Sequence, residues 1–322
     1  TESRWFWQIG MRPNDRYVHA LNFSLYVGGP DVIGAQNLGA LCIWGGTLPS
    51  ERLLFILKTY QPTIIWTSPS YAWQLGEKAL KSGIDPKKDL NIQKIIVAGE
   101  PGGSVHATRK AIEDLWGAEV YDFYGLSDIF GACAAMCEAK DGLHIAENHI
   151  LVETVDIQTG EVLKPGEVGE LVFTTLRKHA RPLIRFRTGD IGWIDNTPCS
   201  CGRTHGRIHI NGRKDDMFIV SAVNVFPSDI EAVIREIPGI TGEYLTCVFE
   251  KDFTCKYSVE VEKNEDQTKT DDEIAAEVSA ALKARIGVKP YQVVVHPDGG
   301  LNTRSEHKSK RIIDERKLHD KT

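Results

Sequence analysis

The chain has 322 residues, 42% of them hydrophobic and 25% charged, which is the composition of a folded globular protein with room for one large domain and one small one. A formal net charge of −6 argues against a nucleic-acid partner or an anionic membrane surface. No apolar run approaches the roughly 20 residues of a membrane span, and no secretory signal is visible, so a cytoplasmic protein is expected. The chain opens on Thr1 rather than Met, and further sequence is expected upstream.

From about residue 30 to 123 helical and extended patterns alternate. DVIGAQNLG reads as a helix, ALCIW as a strand, PSERLLFILKTY as a helix with Ser50 as its N-cap, and TIIWT as a strand. SPSYAWQLGEKALKSG reads as a helix closed by Gly83, QKIIVAG as a strand, SVHATRKAIEDLWG as a helix and AEVYDFYG as a strand. Short β-branched strands separated by helices imply βαβ units and a parallel sheet covered on both faces, with ligands at the loops leaving the strand C-termini. Between residues 145 and 212 HILVETVDI and GELVFTTL alternate as strands around the turn signal QTGEVLKPGE, an antiparallel section.

From about residue 216 FIVSAV, YLTCVFE and KYSVEVE read as strands, and SDIEAVIREI and DDEIAAEVSAALKARIG as helices. The last carries Ile274, Val278, Leu282 and Ile286 at four-residue spacing and stops at Gly287. The expected fold is therefore α/β: mostly parallel sheets with helices plus an antiparallel β section over residues 1–212, then a small mobile α+β domain over 213–322. The boundary falls near NGRKDD. No internal repeat is visible.

Four stretches carry candidate chemistry. AGEPGGS, Ala98 to Ser104, lets backbone approach a flat or anionic ligand, and Ser104 is placed to cap the following helix. DFYGLSD, Asp122 to Asp128, sets a hydroxyl beside a carboxylate, which suits a magnesium–phosphate contact and equally an Asx/Ser turn that closes a strand. FRTGD ends on Asp190, a carboxylate after a tight glycine turn that suits a ribose diol. RSEHKSKR, Arg304 to Arg311, is a basic run of a kind that is usually a solvated face.

Seven cysteines, an odd number, favour a reducing compartment. Cys42, Cys247 and Cys255 lie in apolar or strand-like stretches and read as small buried hydrophobes. Cys137, Cys199 and Cys201 lie beside turns. In CSCGRTH, Cys199 and Cys201 offer two ligands from one loop; in MCEAKDGLHI, Cys137 and His144 flank a DG turn as a hairpin clip would. Together they read as a four-ligand zinc set, with His205 as the rival fourth ligand, or else as three unpaired thiols and a surface histidine. Nothing suggests an open coordination position, so the zinc would be structural.

Taken in order, AGEP, YGLSD, DGLHIAENH, TGEVLKPGEVGELVFTTL, RPLIRFRTGD, CSCGRTH, GRKDDMFIVSAVNVFPSDIE and RSEHKSKRIID resemble the adenylate-forming, acyl-CoA synthetase-like superfamily, and within it the phenylacetate–coenzyme A ligase family. The resemblance implies ATP-dependent activation of a carboxylic acid, aryl or arylacetic such as phenylacetate, to an acyl-adenylate, followed by thioester formation with coenzyme A. It implies that Gly99, Glu100 and Pro101 line the adenine, that Tyr124 stacks on or flanks it, and that Ser127 meets the α-phosphate. By the same likeness Asp128 takes the Mg²⁺ position, Asp190 binds the ribose, Arg213 meets the ribose or phosphate edge, and Asp215 is the domain hinge. Lys308 matches the lysine that bridges carboxylate and α-phosphate. NFSLYVGGPDVIG aligns with the acid-binding side, where Phe23, Tyr26 and Ser68 would shape an aryl pocket.

Four departures accompany the resemblance. The Ser/Thr/Gly-rich phosphate loop of the superfamily is nowhere in the sequence. Asp128 replaces the usual Glu, Ser221 and Ala222 replace Arg-Gly on the thiol's approach, and Thr303 and His307 replace Pro and Gly beside Lys308. The alternatives are a catalytically silent nucleotide-binding or regulatory homologue, or an adenylating relative serving another acceptor. A twofold homodimer is the expected assembly on base rates alone.

Overall fold

The computed structural model describes residues 2–21, 28–221, 223–251, 254–301 and 311–317. The chain divides into two compact units, Thr1–Ser104 with Arg109–Ile210, and Val105–Thr108 with Asn211–Thr322. The first begins with α1 (Glu2–Gln8), β1 (Arg16–His19), α2 (Gly28–Leu38), β2 (Leu41–Trp44), α3 (Ser50–Tyr60) and β3 (Ile64–Thr67). It continues through α4 (Pro69–Lys81), α5 (Pro86–Asp89), β4 (Lys94–Val97), α6 (His106–Trp116) and β5 (Glu119–Leu126). The five strands pair in parallel in the order β2-β1-β3-β4-β5.

Alternate residues of each strand feed opposite faces. Tyr17, Ile64, Trp66, Ile96 and Phe123 join Phe6 and Val32 of α1 and α2. Val18, Ile65, Ile95, Val97 and Val120 pack with Leu53, Leu57, Leu75, Ile112 and Trp116 of α3, α4 and α6. Burial on both sides is what a sheet of βαβ units requires. Ser50 is the first residue of α3 rather than its cap: Pro49 enters the helix, and the Ser50 hydroxyl lies 3.0 Å from that of Tyr71. Ser68 does cap α4, accepting from the Tyr71 amide at 3.3 Å.

The same sheet continues through β5 into an antiparallel half. Its strands are β6 (Gly131–Met136), β7 (Leu143–Ile145), β8 (Ile150–Val155), β9 (Gly169–Thr175), β10 (Phe186–Asp195) and β11 (Arg207–Arg213). The order is β5-β6-β7-β11-β10-β9-β8. Strand β6, GACAAM, is buried along its whole length and shows no alternation. Side chains of α1 donate to its carbonyls: Trp5 Nε1 to Ala132 at 2.9 Å, and Gln8 Nε2 to Ala135 at 2.9 Å and Met136 at 3.0 Å.

The second unit contains β12 (Phe218–Val220), β13 (Val223–Val225), α7 (Pro227–Ile234), β14 (Ile240–Lys251), β15 (Thr254–Lys263), α8 (Asp271–Ile286), β16 (Gln292–His296) and β17 (Ile312–Asp314). FIVSAV is not one strand: Ser221 has φ +50° and turns β12 back on β13. A four-stranded sheet in the order β16-β15-β14-β17 carries Tyr244, Val248, Tyr257 and Val259 into a core with Ile274, Val278 and Leu282 of α8. Thr270 and Glu273 form a capping box at the start of α8. Cys42, Cys247 and Cys255 are half-buried rather than core residues.

Candidate active site and thiol–imidazole centre

FRTGD lies inside β10, not in a turn after a strand. Its pairing with β9 runs Phe186 to Phe173 and Arg187 to Val172, then resumes at Ile191 to Glu170. The intervening residues form an irregularity in which Gly189 takes φ +75°, a conformation that strains any residue with a Cβ. Thr188 Oγ1 donates to the Leu171 carbonyl at 2.8 Å and accepts from the Asp190 amide at 2.9 Å. Buried Glu170 accepts from Arg187 Nε at 2.9 Å and from the Gly189 amide at 3.3 Å. The bulge thereby turns Asp190 towards Tyr124 on β5, whose hydroxyl donates to Asp190 Oδ2 at 2.5 Å. Burial, reinforced by the Asp190 carboxylate, pushes the Tyr124 phenol well above its ordinary range, so it remains a donor.

Gly99, Glu100 and Pro101 follow β4. Glu100 Oε1 accepts from the Ser70 amide at 2.8 Å, in the first turn of α4, where a negative charge is favoured. Ser104 does not cap α6: its hydroxyl donates to Asp122, a carboxylate that burial pushes up to about 6 against that hydrogen bond. The long-range partner outcompetes the local cap. Ser127 and Asp128 form the turn that leaves β5. Asp128 Oδ1 pairs with Arg181 Nη2 at 3.0 Å, and its carbonyl accepts from Lys178. Its side chain is 43% exposed. Magnesium commonly binds one or two carboxylates and completes its shell with phosphate oxygens and water, so a single accessible carboxylate suits that ion.

Lys178, Arg181 and Glu170 were not singled out by the sequence. The signal for the first two was RKHAR, a basic run in an acidic chain. Arg213 ends β11 and lies 3.5 Å from Asp215 in the following turn. Ser68 is buried as the cap of α4. Phe23, Tyr26, Ala222, Thr303, His307 and Lys308 lie outside the described residues.

The second centre is better enclosed. Hairpin β6–β7 brings Cys137 and His144 together, and the loop between β10 and β11 adds Cys199 and Cys201. Their ligating atoms all lie within 4.8 Å of one another. Cys137 Sγ is 3.7 Å from Cys199 Sγ, and Cys201 Sγ is 3.3 Å from His144 Nε2. Tetrahedral zinc with bonds of about 2.3 Å to sulfur sets neighbouring sulfurs roughly 3.7 Å apart, so the donor set and its spacing fit.

His144 is fully buried, and its Nδ1 lies 3.0 Å from the His205 carbonyl. That contact assigns the proton to Nδ1 and leaves Nε2 as the ligand. His205 thus contributes its backbone here, and His144 its ring. Burial lowers the His144 pKa, favouring the neutral form a metal needs. Burial pushes the Cys137 thiol up to about 12. For Cys201 burial also acts upward, but hydrogen bonds from the Arg203 backbone and side chain and from the Cys199 and Cys137 thiols hold it at about 7.

Comparison with known proteins places these features in a family. The profile of the AMP-binding enzyme family matches residues 2–176, and that of the AMP-binding enzyme C-terminal domain matches residues 222–316. A phenylacetate-coenzyme A ligase of Thermus thermophilus is 33% identical over 328 residues, covering 96% of this chain and 73% of that protein. Another, of Pseudomonas putida, is 34% identical and covers 95% and 70%. Among solved structures, 2-hydroxyisobutyryl-CoA ligase in the postadenylation state with 2-HIB-AMP aligns at TM-score 0.91 and 29% identity, over 99% of this chain and 69% of that one.

Proposed function

The chain belongs to the AMP-binding enzyme family, and from that premise we propose that it is an AMP-forming acid–coenzyme A ligase. A carboxylate oxygen attacks the α-phosphorus of ATP, pyrophosphate leaves, and an acyl-adenylate forms. The coenzyme A thiol then attacks the acyl carbon and AMP leaves. The observation that carries this reading is the buried Asp190, turned by its bulge and held by Tyr124 at 2.5 Å. A carboxylate fixed in that way accepts from both hydroxyls of a ribose, with the Tyr124 ring beside the base. Gly99, Glu100 and Pro101 border the adenine, and Arg213 the ribose or phosphate edge.

Attack of one anion on another requires charge compensation. Ser127 donates to the α-phosphate and Lys308 supplies a point charge between carboxylate and phosphate. Mg²⁺ held by Asp128 and the phosphates would add neutralising charge. Zinc at Cys137, His144, Cys199 and Cys201 would be structural, since protein ligands fill all four positions. The acid is aryl or arylacetic, a reading supported by the relatives named phenylacetate-coenzyme A ligase. Among the described residues, no helix is long and apolar enough to cross a membrane.

ATP–pyrophosphate exchange with a panel of acids tests the reading, and phenylacetate or a close aryl acid is expected to give the highest rate. Replacing Lys308 with Ala is expected to lower exchange about 10²–10³-fold while AMP binding persists. Exchange that no acid supports would overturn the ligase assignment.

A further inference from the structure

The connection from β9 to β10 carries the cations Arg177, Lys178 and Arg181, which the reading above leaves without a part in the reaction. Its base is tied. The Thr175 amide donates to the Leu183 carbonyl at 2.8 Å. The Thr175 hydroxyl donates to the same carbonyl at 3.2 Å and accepts from the Leu183 amide at 2.9 Å. Beside it the Leu176 amide donates to the His149 carbonyl at 2.8 Å, and the Arg185 amide to Thr174 Oγ1 at 2.9 Å. Arg181 and Arg185 take φ +53° and +49°, left-handed values uncommon for a residue with a side chain. The loop so folded reaches the turn that leaves β5. The Lys178 ammonium donates to the Asp128 carbonyl, and Arg181 Nη2 donates to Asp128 Oδ1 at 3.0 Å.

Two cations thus converge on one turn, at the C-terminal end of the parallel half. The Arg181 and Asp128 side chains are 70% and 43% exposed, and an ion pair so exposed stabilises a fold little. Backbone held in a left-handed conformation costs energy and persists where the surroundings fix it, most often beside a functional site. Among the described residues each cation gives a single hydrogen bond to Asp128, which leaves further N–H groups on the ammonium and on the guanidinium. Both side chains therefore have donors to offer a second anion. In the reaction proposed above, the bond between the α-phosphorus and the oxygen bridging to the β-phosphate breaks. Its electron pair stays on that oxygen, so the departing pyrophosphate gains negative charge. A carboxylate in the same turn opposes that gain, and fixed cations offset it.

We propose that Lys178 and Arg181 bind the β- and γ-phosphates of ATP and the pyrophosphate that leaves, Arg181 exchanging Asp128 Oδ1 for a phosphate oxygen. This rests on the adenylation reading given above and adds to it the residues that receive the leaving group. The test uses the intact protein with Lys178→Gln, Arg181→Gln and Arg181→Lys. Arg185→Gln is the control, a cation of the same connection whose Nε donates to Glu153 at 3.2 Å. ATP–pyrophosphate exchange is measured with pyrophosphate and acid varied separately. Calorimetric titrations with AMP, and with pyrophosphate in the presence of Mg²⁺, accompany it.

In each Gln variant the KM for pyrophosphate and its Kd are expected to rise roughly 10- to 100-fold, with the KM for the acid and the Kd for AMP within about 2-fold of the parent. Arg181→Lys should recover part of the loss, and Arg185→Gln should stay within about 2-fold of the parent throughout. Unchanged pyrophosphate constants in both Gln variants overturn the proposal. An equal weakening of AMP and pyrophosphate also overturns it, because the loop would then only brace the turn after β5. If no acid supports exchange in the parent, the ligase reading fails on its own. The pyrophosphate titration still decides the site: binding that weakens in Lys178→Gln and Arg181→Gln supports it, and no binding by the parent overturns it.

Discussion

The two halves of the large sheet present polar groups in different ways. The parallel half, β1 to β5, is covered on both faces and leaves its chemistry to the connections: Glu100 after β4, Ser127 and Asp128 after β5. The antiparallel half places its groups within or immediately beside strands, Asp190 in a bulge of β10 and the thiol–imidazole centre where β6–β7 meets the β10–β11 loop. A group in a connection remains accessible, as the half-exposed Asp128 side chain shows. A group in a bulge is braced by hydrogen bonds, as Asp190 is by the Tyr124 hydroxyl at its carboxylate and by Thr188 Oγ1 at its amide. On the proposed reading the division is chemical. The ribose is unchanged through the reaction and meets the braced carboxylate, while the phosphates change charge and meet the accessible one.

Removing metal should separate the halves most strongly. Purified protein is expected to carry about one equivalent of zinc, and chelation to lower stability by several kcal/mol, less than the ~10–16 kcal/mol of an isolated zinc-finger peptide because the sheet itself supports these strands. Hydrogen exchange should then accelerate in β6, β7 and β11 while β1 to β4 stay protected. Equal loosening throughout would erase the distinction.

Acid should act on the opposite half. His19 at the end of β1 is fully buried, and burial lowers its pKa from 6.5 to about 4. The fold favours the neutral ring, so this contribution is complete above about pH 6.5 and is lost as pH falls towards 4, about 3 kcal/mol in all. Urea titrations of His19→Asn against the parent should show a flatter pH dependence over that window; an unchanged slope would remove His19 as the cause.

Smaller effects probe the bulge. Asp190→Asn should weaken AMP by about 2 kcal/mol, roughly 30-fold, whereas Tyr124→Phe, which removes only the bracing hydroxyl, should weaken it by about 1 kcal/mol. Calorimetric titration with AMP distinguishes them, and equal losses would mean the brace matters as much as the carboxylate. Gly189→Ala forces a Cβ into φ +75° and should lower stability by about 1–2 kcal/mol, measured by thermal unfolding.

Legibility in the sequence followed the same division. Strands β2 to β5 and the helices between them announced themselves by β-branched runs and amphipathic spacing. β6 did not, because GACAAM is buried on both faces and has neither alternation nor β-branching. FRTGD looked like a turn because a glycine bulge and a glycine turn use the same residues. Ser50 and Ser104 looked like caps because capping is local, yet their partners are Tyr71 and Asp122, 21 and 18 residues away. Two pairs of metal-type side chains were visible as pairs, whereas their meeting depends on strand order. The contacts of Lys178 and Arg181 with Asp128 span 50 and 53 residues and leave no local pattern at all.

Strand order also fixes a timetable. Cys137 and Cys199 are separated by 62 residues, and β8, β9 and β10 must all be made between them. At a synthesis rate of roughly 5–20 residues per second, Cys137 and His144 precede their partners by about 3–12 s. During that interval β1 to β5 are already made, while the nascent hairpin holds a thiol and an imidazole with no second pair to meet. The thiol–imidazole centre therefore closes only when Cys199 and Cys201 arrive, and β11, made after them, fills the place between β7 and β10.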